Sequence, residues 1–490
     1  MLFTSALFAW VYLPVVLAGF FAIGRWSEGG AALWLFVASL VFYAAWIPGF
    51  TLLLLASIVF NFVVGRRIGS TRSRTWLTFG VAANLSLLAY FKYAGFLVAN
   101  VNALTGAHWD LGRIILPIGI SFFTFTQIAF LVDAYAKGVR EPRFVHYGLF
   151  VTYFPHLVAG PVLHHAQMMP QFGLSSTYRF DFTNLGVGLG IFAIGLLKKV
   201  VLADGISPYA DAVFNAADAG VPISVEEAWL GALAYTLQLY FDFSGYSDMA
   251  VGLSWMLNIR LPFNFNSPYR ATNISEFWRR WHISLSNFLR DYLYIALGGN
   301  RRGEARRYAN LLTTMVLGGL WHGASWSFVL WGTLHGLYLV VQQLWARFWA
   351  SQSAATPSAA EPGGRAGRLL AWGVTMLAVV GAWVLFRATT LDGAVTVYAA
   401  MLSLESAQTA SALWNAGLKA ATGWWLVAVW TVLALWPRNS NVLGQDLRRW
   451  IDVSDARKAW AVGASTTLVC LLILLNNSRG VAGAFIYFNF

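Results

Sequence analysis

The sequence predicts an all-α polytopic membrane protein, and three observations carry that prediction. Hydrophobic residues make up 58% of the 490-residue chain and charged residues only 11%, against about 45–50% and about 25% in soluble domains. Mean hydropathy is +0.59. Long charge-free runs recur along the chain, and a helix needs about 20 apolar residues to cross the hydrocarbon. Together these exclude a disordered chain, a collagen-like repeat and an ordinary soluble enzyme. The net charge of +12 reads as basic cytoplasmic loops beside anionic lipid, with no nucleic-acid partner. The one cysteine, Cys470, excludes an intramolecular disulfide and a cysteine-cluster zinc site. It lies in an apolar run and reads as packing.

The N-terminal MLFTSALFAW has no basic residue and no A-x-A pattern nearby, so residues 2–24 read as a retained span, not a signal peptide. Residues 29–65 are uncharged and too long for one helix, and Pro48-Gly49 divides them into two tightly joined spans. Spans follow at 75–91 and 114–132. Residues 144–178 lack Asp, Glu, Lys and Arg but hold Pro155, Gly160-Pro161 and Pro170. They predict short broken helices at membrane depth, which must be buried in protein or line a wet cavity. Further spans are 182–197, 229–257, two helices within 309–346 broken near Gly318-Gly319 or Gly323, then 369–386, 420–436 and 459–475. The count is about eleven crossings. Residues 351–368 (SQSAATPSAAEPGGRAGR) read as a flexible loop before the C-terminal helices of 369–490. No soluble domain or internal repeat interrupts what reads as a single membrane domain over 1–490.

Orientation follows from basic loops. Arg66, Arg67, Arg72 and Arg74 crowd one short loop, placed in the cytoplasm by the positive-inside rule. Alternation then puts the N-terminus outside, and Arg25 and the 133–143 loop inside.

Residues 272–292, TNISEFWRRWHISLSNFLRDY, predict a helix capped by Asn273 and Glu276. Phe277, Trp278, Trp281, His282, Leu285, Phe288 and Leu289 share one face, and Arg279, Arg280, Asn287 and Arg290 the other. The pattern is a cationic amphipathic helix lying in the membrane interface. Its arginines, with Arg301, Arg302, Arg306 and Arg307, read either as a lipid anchor or as a dock for an anionic donor such as the phosphates of coenzyme A. His282 reads as a satisfied core histidine or as a functional group. His322 sits in GGLWHGASW, deep in an apolar run, where an ionisable residue is a functional hypothesis by default. Neutral imidazole suits a general base, and helix packing is the alternative. His335 has less around it to suggest chemistry. Asp242 and Asp248, in LQLYFDFSGYSDMAVG, mark a wet cavity, an ion path or a structural pair. His156, His164 and His165 lack H-E-x-x-H and carboxylates nearby in sequence, so no metal site is expected. Neither G-x-S-x-G nor a P-loop is present.

These segments resemble the membrane-bound O-acyltransferase (MBOAT) family in its bacterial branch. They are most similar to alginate O-acetyltransferase membrane subunits (AlgI-type), and more distantly to teichoic-acid D-alanylation proteins. The resemblance rests on LPIGISFFTF (116–125), the FP-x-L-x-AGP run (154–161), YFDFSGYSDMA (240–250), FNFNSPY (263–269) and EFWRRWHISLSNFLRDYLYIALGGNRRG (276–303). It is completed by GGLWHGASWSFVLWGTLHG (318–336) and FIYFNF (485–490). The resemblance implies an MBOAT-like ring of helices around a funnel, with the catalytic core in 110–345 and short interfacial and re-entrant helices beside the spans. It places the family's catalytic histidine on His322 and its second signature histidine on His282. Arg279, Arg280, Asp242, Asp248 and Trp321 are candidate substrate or donor contacts. No cofactor is expected to be bound, and the donor would be acetyl-CoA or another acetyl thioester. The implied partners are the bilayer, a periplasmic or membrane-anchored acyl-accepting protein and an exopolysaccharide acceptor, at the bacterial inner membrane. FPHLVAGPVLHH departs from relatives that carry Gln where His156 stands, which leaves the acceptor polymer open. The rival readings are a transporter that exports a polymer or acyl carrier without chemistry, and a D-alanyl transfer protein.

Overall fold

The computed structural model describes residues 1–158, 160–353, 364–403, 411–479, 483, 485 and 486, and among them no strand occurs. In chain order the helices are α1 (Phe8–Gly24), α2 (Glu28–Ala44), α3 (Pro48–Thr71), α4 (Arg74–Thr105), α5 (Ile120–Ala136), α6 (Phe144–Thr152), α7 (His165–Met168), α8 (Phe182–Asp218) and α9 (Val225–Met256). There follow α10 (Ile274–Arg280), α11 (Ile283–Phe288), α12 (Glu304–His322), α13 (Trp326–Ser353), α14 (Gly364–Arg387) and α15 (Leu391–Leu402). The last are α16 (Ala420–Leu435), α17 (Ser440–Ile451) and α18 (Asp455–Ser478). Among the described residues, α3, α4, α8, α14 and α18 are each long and apolar enough to cross a membrane. A sixth crossing arises if α16 and α17, bent by 59°, form one broken span. Four shorter apolar helices accompany them.

Local chemistry sets the breaks. Pro48 opens α3, as expected of the Pro48-Gly49 turn. Arg72 closes α3 in the left-handed region at φ 51°, and the Ser73 side chain caps α4. The 144–178 segment folds into short helical pieces, as its prolines predict. The 309–346 run breaks at Gly323, whose extended backbone (φ −165°) ends α12. Residues 272–292, by contrast, do not form one amphipathic helix, because the chain turns at His282 between α10 and α11. Of the expected 351–368 loop, residues 354–363 lie outside the described residues, and the flanks are helix ends. Residues 487–490 of the C-terminal motif also lie outside them.

The chain divides into two compact units. One comprises, among the described residues, Met1–Val200, Gly245–Phe263 and the chain from Ser440 onward. Its helices are clasped by polar pairs in an apolar core. Asn61 and Asn84 exchange amide hydrogen bonds (3.1 and 2.7 Å), and Gln127 Nε2 donates to Ser57 Oγ (2.9 Å). The two basic loops meet here, because the Arg72 guanidinium donates to the Tyr135 carbonyl and Arg140 Nε to the Gly69 carbonyl (2.9 Å). Their placement at one end agrees with the alternation expected from the sequence. The other unit comprises, among the described residues, Val201–Ser244 and Asn264–Asn439. Its centre is the α12–α13 hairpin, which packs tightly because Gly319 and Gly332 lie back to back. A Cβ on Gly319 would sit 2.2 Å from the Phe328 carbonyl oxygen and 3.1 Å from Gly332 Cα.

Candidate active site

The site is built in the second unit, where two interrupted helical segments bring His282 and His322 together. In α10 the Asn273 side chain accepts from the Glu276 N–H (2.8 Å), the N-cap that the sequence predicts. The Glu276 carboxylate reaches past Asn273 to the Thr272 N–H (2.9 Å) and holds Arg280 Nη2 (2.8 Å). Burial disfavours that carboxylate, but these bonds more than offset it and keep the Glu276 carboxyl below its ordinary range. The helix ends at Trp281, and His282 takes the left-handed conformation (φ 43°, ψ 54°). A non-glycine residue there costs of order 1–3 kcal/mol and marks functional sites more often than ordinary loops.

What holds this turn is the segment beside it. The Ile283 N–H donates to the Asn264 carbonyl (2.9 Å) and the Asn266 N–H to the Arg280 carbonyl (2.9 Å). The Asn264 side-chain oxygen accepts from the Ser284 N–H (3.0 Å), from Ser284 Oγ (2.8 Å) and from His282 Nδ1 (3.3 Å). His282 is fully buried and meets the Phe243 ring edge-on at 4.7 Å.

His322 is the last residue of α12 and is 3% exposed. Aromatic rings surround it, with Trp321 at 4.9 Å, Trp331 at 5.1 Å and Phe386 at 5.1 Å between centroids. The His282 and His322 rings lie 6.5 Å apart, and Trp321 lies 6.0 Å from His282. Two imidazoles in one water-poor aromatic shell suit proton transfer to and from a hydroxyl held between them.

The remaining candidates sort by place. Trp321 is in the shell. Asp242 is buried in the same unit. Arg279 is exposed, whereas Arg280 is committed to Glu276. Asp248 belongs to the first unit, where its Oδ2 lies 2.6 Å from both Lys198 Nζ and Ser440 Oγ, a buried ion pair. His335 accepts from the Trp278 indole N–H (3.3 Å), a packing role. His156 Nε2 meets the Phe150 carbonyl (3.1 Å).

Carboxylates are absent near His164 and His165 along the chain but not in space. Asp133 of α5 lies between them, its Oδ2 2.5 Å from His164 Nε2 and 3.2 Å from His165 Nδ1. These donor atoms are close enough together for an ion. His164 Nδ1, however, accepts the Ala166 N–H (3.2 Å), which puts its proton on Nε2, facing Asp133. Lys137 Nζ holds the other Asp133 oxygen (2.8 Å). Asp133 is therefore committed to His164 and Lys137. Asn264 went unassigned a role in the sequence. FNFNSPY was visible as a motif, but only the folded turn shows that its first asparagine meets His282.

A family model described as MBOAT, membrane-bound O-acyltransferase family, matches residues 102–380. The chain is 42% identical over 436 residues to the peptidoglycan O-acetyltransferase of Helicobacter pylori, covering 83% of this chain and 80% of that protein. It is 43% identical over 444 residues to the probable alginate O-acetylase AlgI of Pseudomonas aeruginosa, covering 89% and 81%. It is also similar to the teichoic acid D-alanyltransferase of Bacillus subtilis, 28% identical over 244 residues, covering 47% and 60%.

Proposed function

The chain belongs to the membrane-bound O-acyltransferase family, and from that premise we propose that it moves acetyl groups from a thioester donor for the O-acetylation of an exported polysaccharide. The observation that carries this reading is the buried His282–His322 pair inside one aromatic shell. His322 acts as general base. The accepting hydroxyl, on a sugar or on a partner's serine, adds to the acetyl carbonyl carbon as His322 takes its proton. The resulting oxyanion collapses, the C–S bond breaks, and the thiolate leaves and is protonated by the imidazolium. His282 assists. A general base contributes about 10²–10⁴-fold, so the remaining acceleration comes from holding donor and acceptor together.

Identity above 40% to O-acetyltransferases, against 28% to a D-alanyltransferase, supports acetyl as the group transferred. The export-only reading has less to stand on, since Asp248 is closed in an ion pair. The donor is acetyl-CoA or another acetyl thioester arriving at the cytoplasmic end, where the exposed Arg279, Arg301 and Arg302 offer charge to its phosphates. The protein works in the bacterial inner membrane as a ring of about eleven crossings around a funnel. A periplasmic or membrane-anchored protein accepts the acyl group and places it on the polymer.

The test is the acetyl content of the cell's exopolysaccharide and peptidoglycan with the gene deleted, then restored as wild type or as His322→Ala. Loss on deletion, recovery with wild type and no recovery with His322→Ala is expected. Full recovery by His322→Ala refutes the catalytic role, and full-rate acetylation of polysaccharide by the purified protein alone in liposomes refutes the partner.

A further inference from the structure

We propose that Asn264 is a further catalytic residue: its side-chain carbonyl holds His282 with Nε2 as the basic nitrogen, and its Nδ2 amide donates to the oxyanion of the acetyl group under attack. The proposal rests on the acyl-transfer reading above. It starts from a donor that has no choice. The Ser284 backbone N–H can only donate, and it points at the Asn264 side chain from 3.0 Å, so the atom it meets is the oxygen. Ser284 Oγ adds a second bond to that oxygen at 2.8 Å. His282 Nδ1 faces the same acceptor at 3.3 Å and must carry a proton to do so. In a neutral imidazole the lone pair is then on Nε2.

Fixing the oxygen also fixes the nitrogen. Asn264 Nδ2 shares a carbon with that oxygen and is therefore held beside the His282 ring. Asn264 is 1% exposed, and Nδ2 has no hydrogen-bond partner among the described residues. Folded proteins rarely leave such a buried donor unmet, because it costs about 1–3 kcal/mol. Rigid amide donors that are satisfied only when charge develops are what an oxyanion site requires. Here the donor lies beside a histidine whose ring is 6.5 Å from that of His322. As the acceptor oxygen adds to the acetyl carbon, the carbonyl oxygen becomes the oxyanion and takes up the Nδ2–H bond. It gives that bond back when the C=O re-forms and the thiolate departs.

Three variants of the full-length protein, expressed in cells with its native partners, separate these roles. The readout is the rate of acetyl incorporation into polymer from a labelled-acetate pulse, per unit of membrane-resident protein. Asn264→Asp keeps an acceptor for Ser284 and His282 but replaces the donor, and Asn264→Ala removes both. Ser284→Ala keeps the backbone N–H that orients the amide. Losing one oxyanion donor costs about 10²–10³-fold, so Asn264→Asp and Asn264→Ala should both lose at least that much, and Ser284→Ala, which loses the Oγ bond but not the backbone one, should lose less than either. A second readout does not depend on activity. In ¹⁵N-histidine spectra of the purified protein, the His282 signal, assigned by its loss in His282→Gln, should show Nδ1–H in wild type and in Asn264→Asp but not in Asn264→Ala. Asn264→Asp turning over near the wild-type rate overturns the donor role, and Nε2–H on wild-type His282 overturns the orientation. Full acetylation by His322→Ala would instead sink the acyl-transfer reading, with the tautomer result standing apart.

Discussion

Replacing Gly319 by alanine should disable the site without touching a reacting atom. Gly319 lies one turn before His322 in α12. A Cβ there would stand 2.2 Å from the Phe328 carbonyl oxygen and 3.1 Å from Gly332 Cα and N. All three are backbone atoms of the facing helix α13, so no rotamer change can relieve the clash. Ordinary contact distance requires α12 and α13 to separate by roughly 1 Å. The same contact is tight from the other side, where a Cβ on Gly332 would meet the Met315 carbonyl oxygen at 2.4 Å. His322 moves with α12, away from Trp331 on α13. A displacement of about 1 Å in a catalytic group costs around 10²-fold, while overpacking costs about 1–3 kcal/mol. The expected result is about a hundredfold loss of polymer-bound acetyl per unit of membrane-resident protein, with a smaller loss of abundance. Gly381→Ala, with nothing within 4 Å of its Cβ, is the control and should be silent. Gly323→Ala should fall between, because the atoms nearest its Cβ belong to the Phe328 side chain and not to backbone. Near-normal acetylation by Gly319→Ala at normal abundance would refute the argument that this backbone contact sets the position of His322.

Other expectations follow from the same geometry. His322→Ala should leave abundance near normal while acetylation drops by about two orders of magnitude or more, and His282→Ala should also lose activity, both read as acetyl per unit of protein. His335→Ala should act on abundance more than on turnover, since it strips the buried Trp278 indole of its acceptor at a cost of about 1–3 kcal/mol; quantitative blotting against activity separates the two. Lys198→Met leaves Asp248 buried without its cation and should cost about 3–5 kcal/mol, whereas Lys198→Met with Asp248→Leu should recover much of that in thermal-shift measurements in detergent. Single cysteines placed in 66–74 or 301–307 on a Cys470→Ser background should resist impermeant thiol reagents in spheroplasts, and labelling of either would overturn the cytoplasmic placement.

Much of the architecture was legible in the chain because the bilayer imposes a simple rule. Apolar runs must be helical, and the run ends are written in prolines, glycines and arginines. Pro48 opening α3, the broken 144–178 segment and the interruption at Gly323 all follow from backbone chemistry that acts locally. The resemblance carried by W-H-G and R-W-H likewise points to His322 and His282 from the chain alone. Periodicity failed at 272–292. The apolar residues there do share a buried side, but periodicity is blind to a single left-handed residue, and His282 is that residue. Its conformation is held from outside the segment by the backbone and side chain of Asn264.

The sequence by itself determined the class, the helical segments and the basic ends, since each depends on composition or on neighbours along the chain, while the two histidines came from the family resemblance. Only the tertiary structure decided which polar groups are spent and which remain available for chemistry. It closed Asp248 on Lys198 and Asp133 on His164, and it set Asn264 against His282. The physical reason is that a buried polar side chain is defined by its partner. A partner 18, 31 or 50 residues away leaves no mark in local pattern.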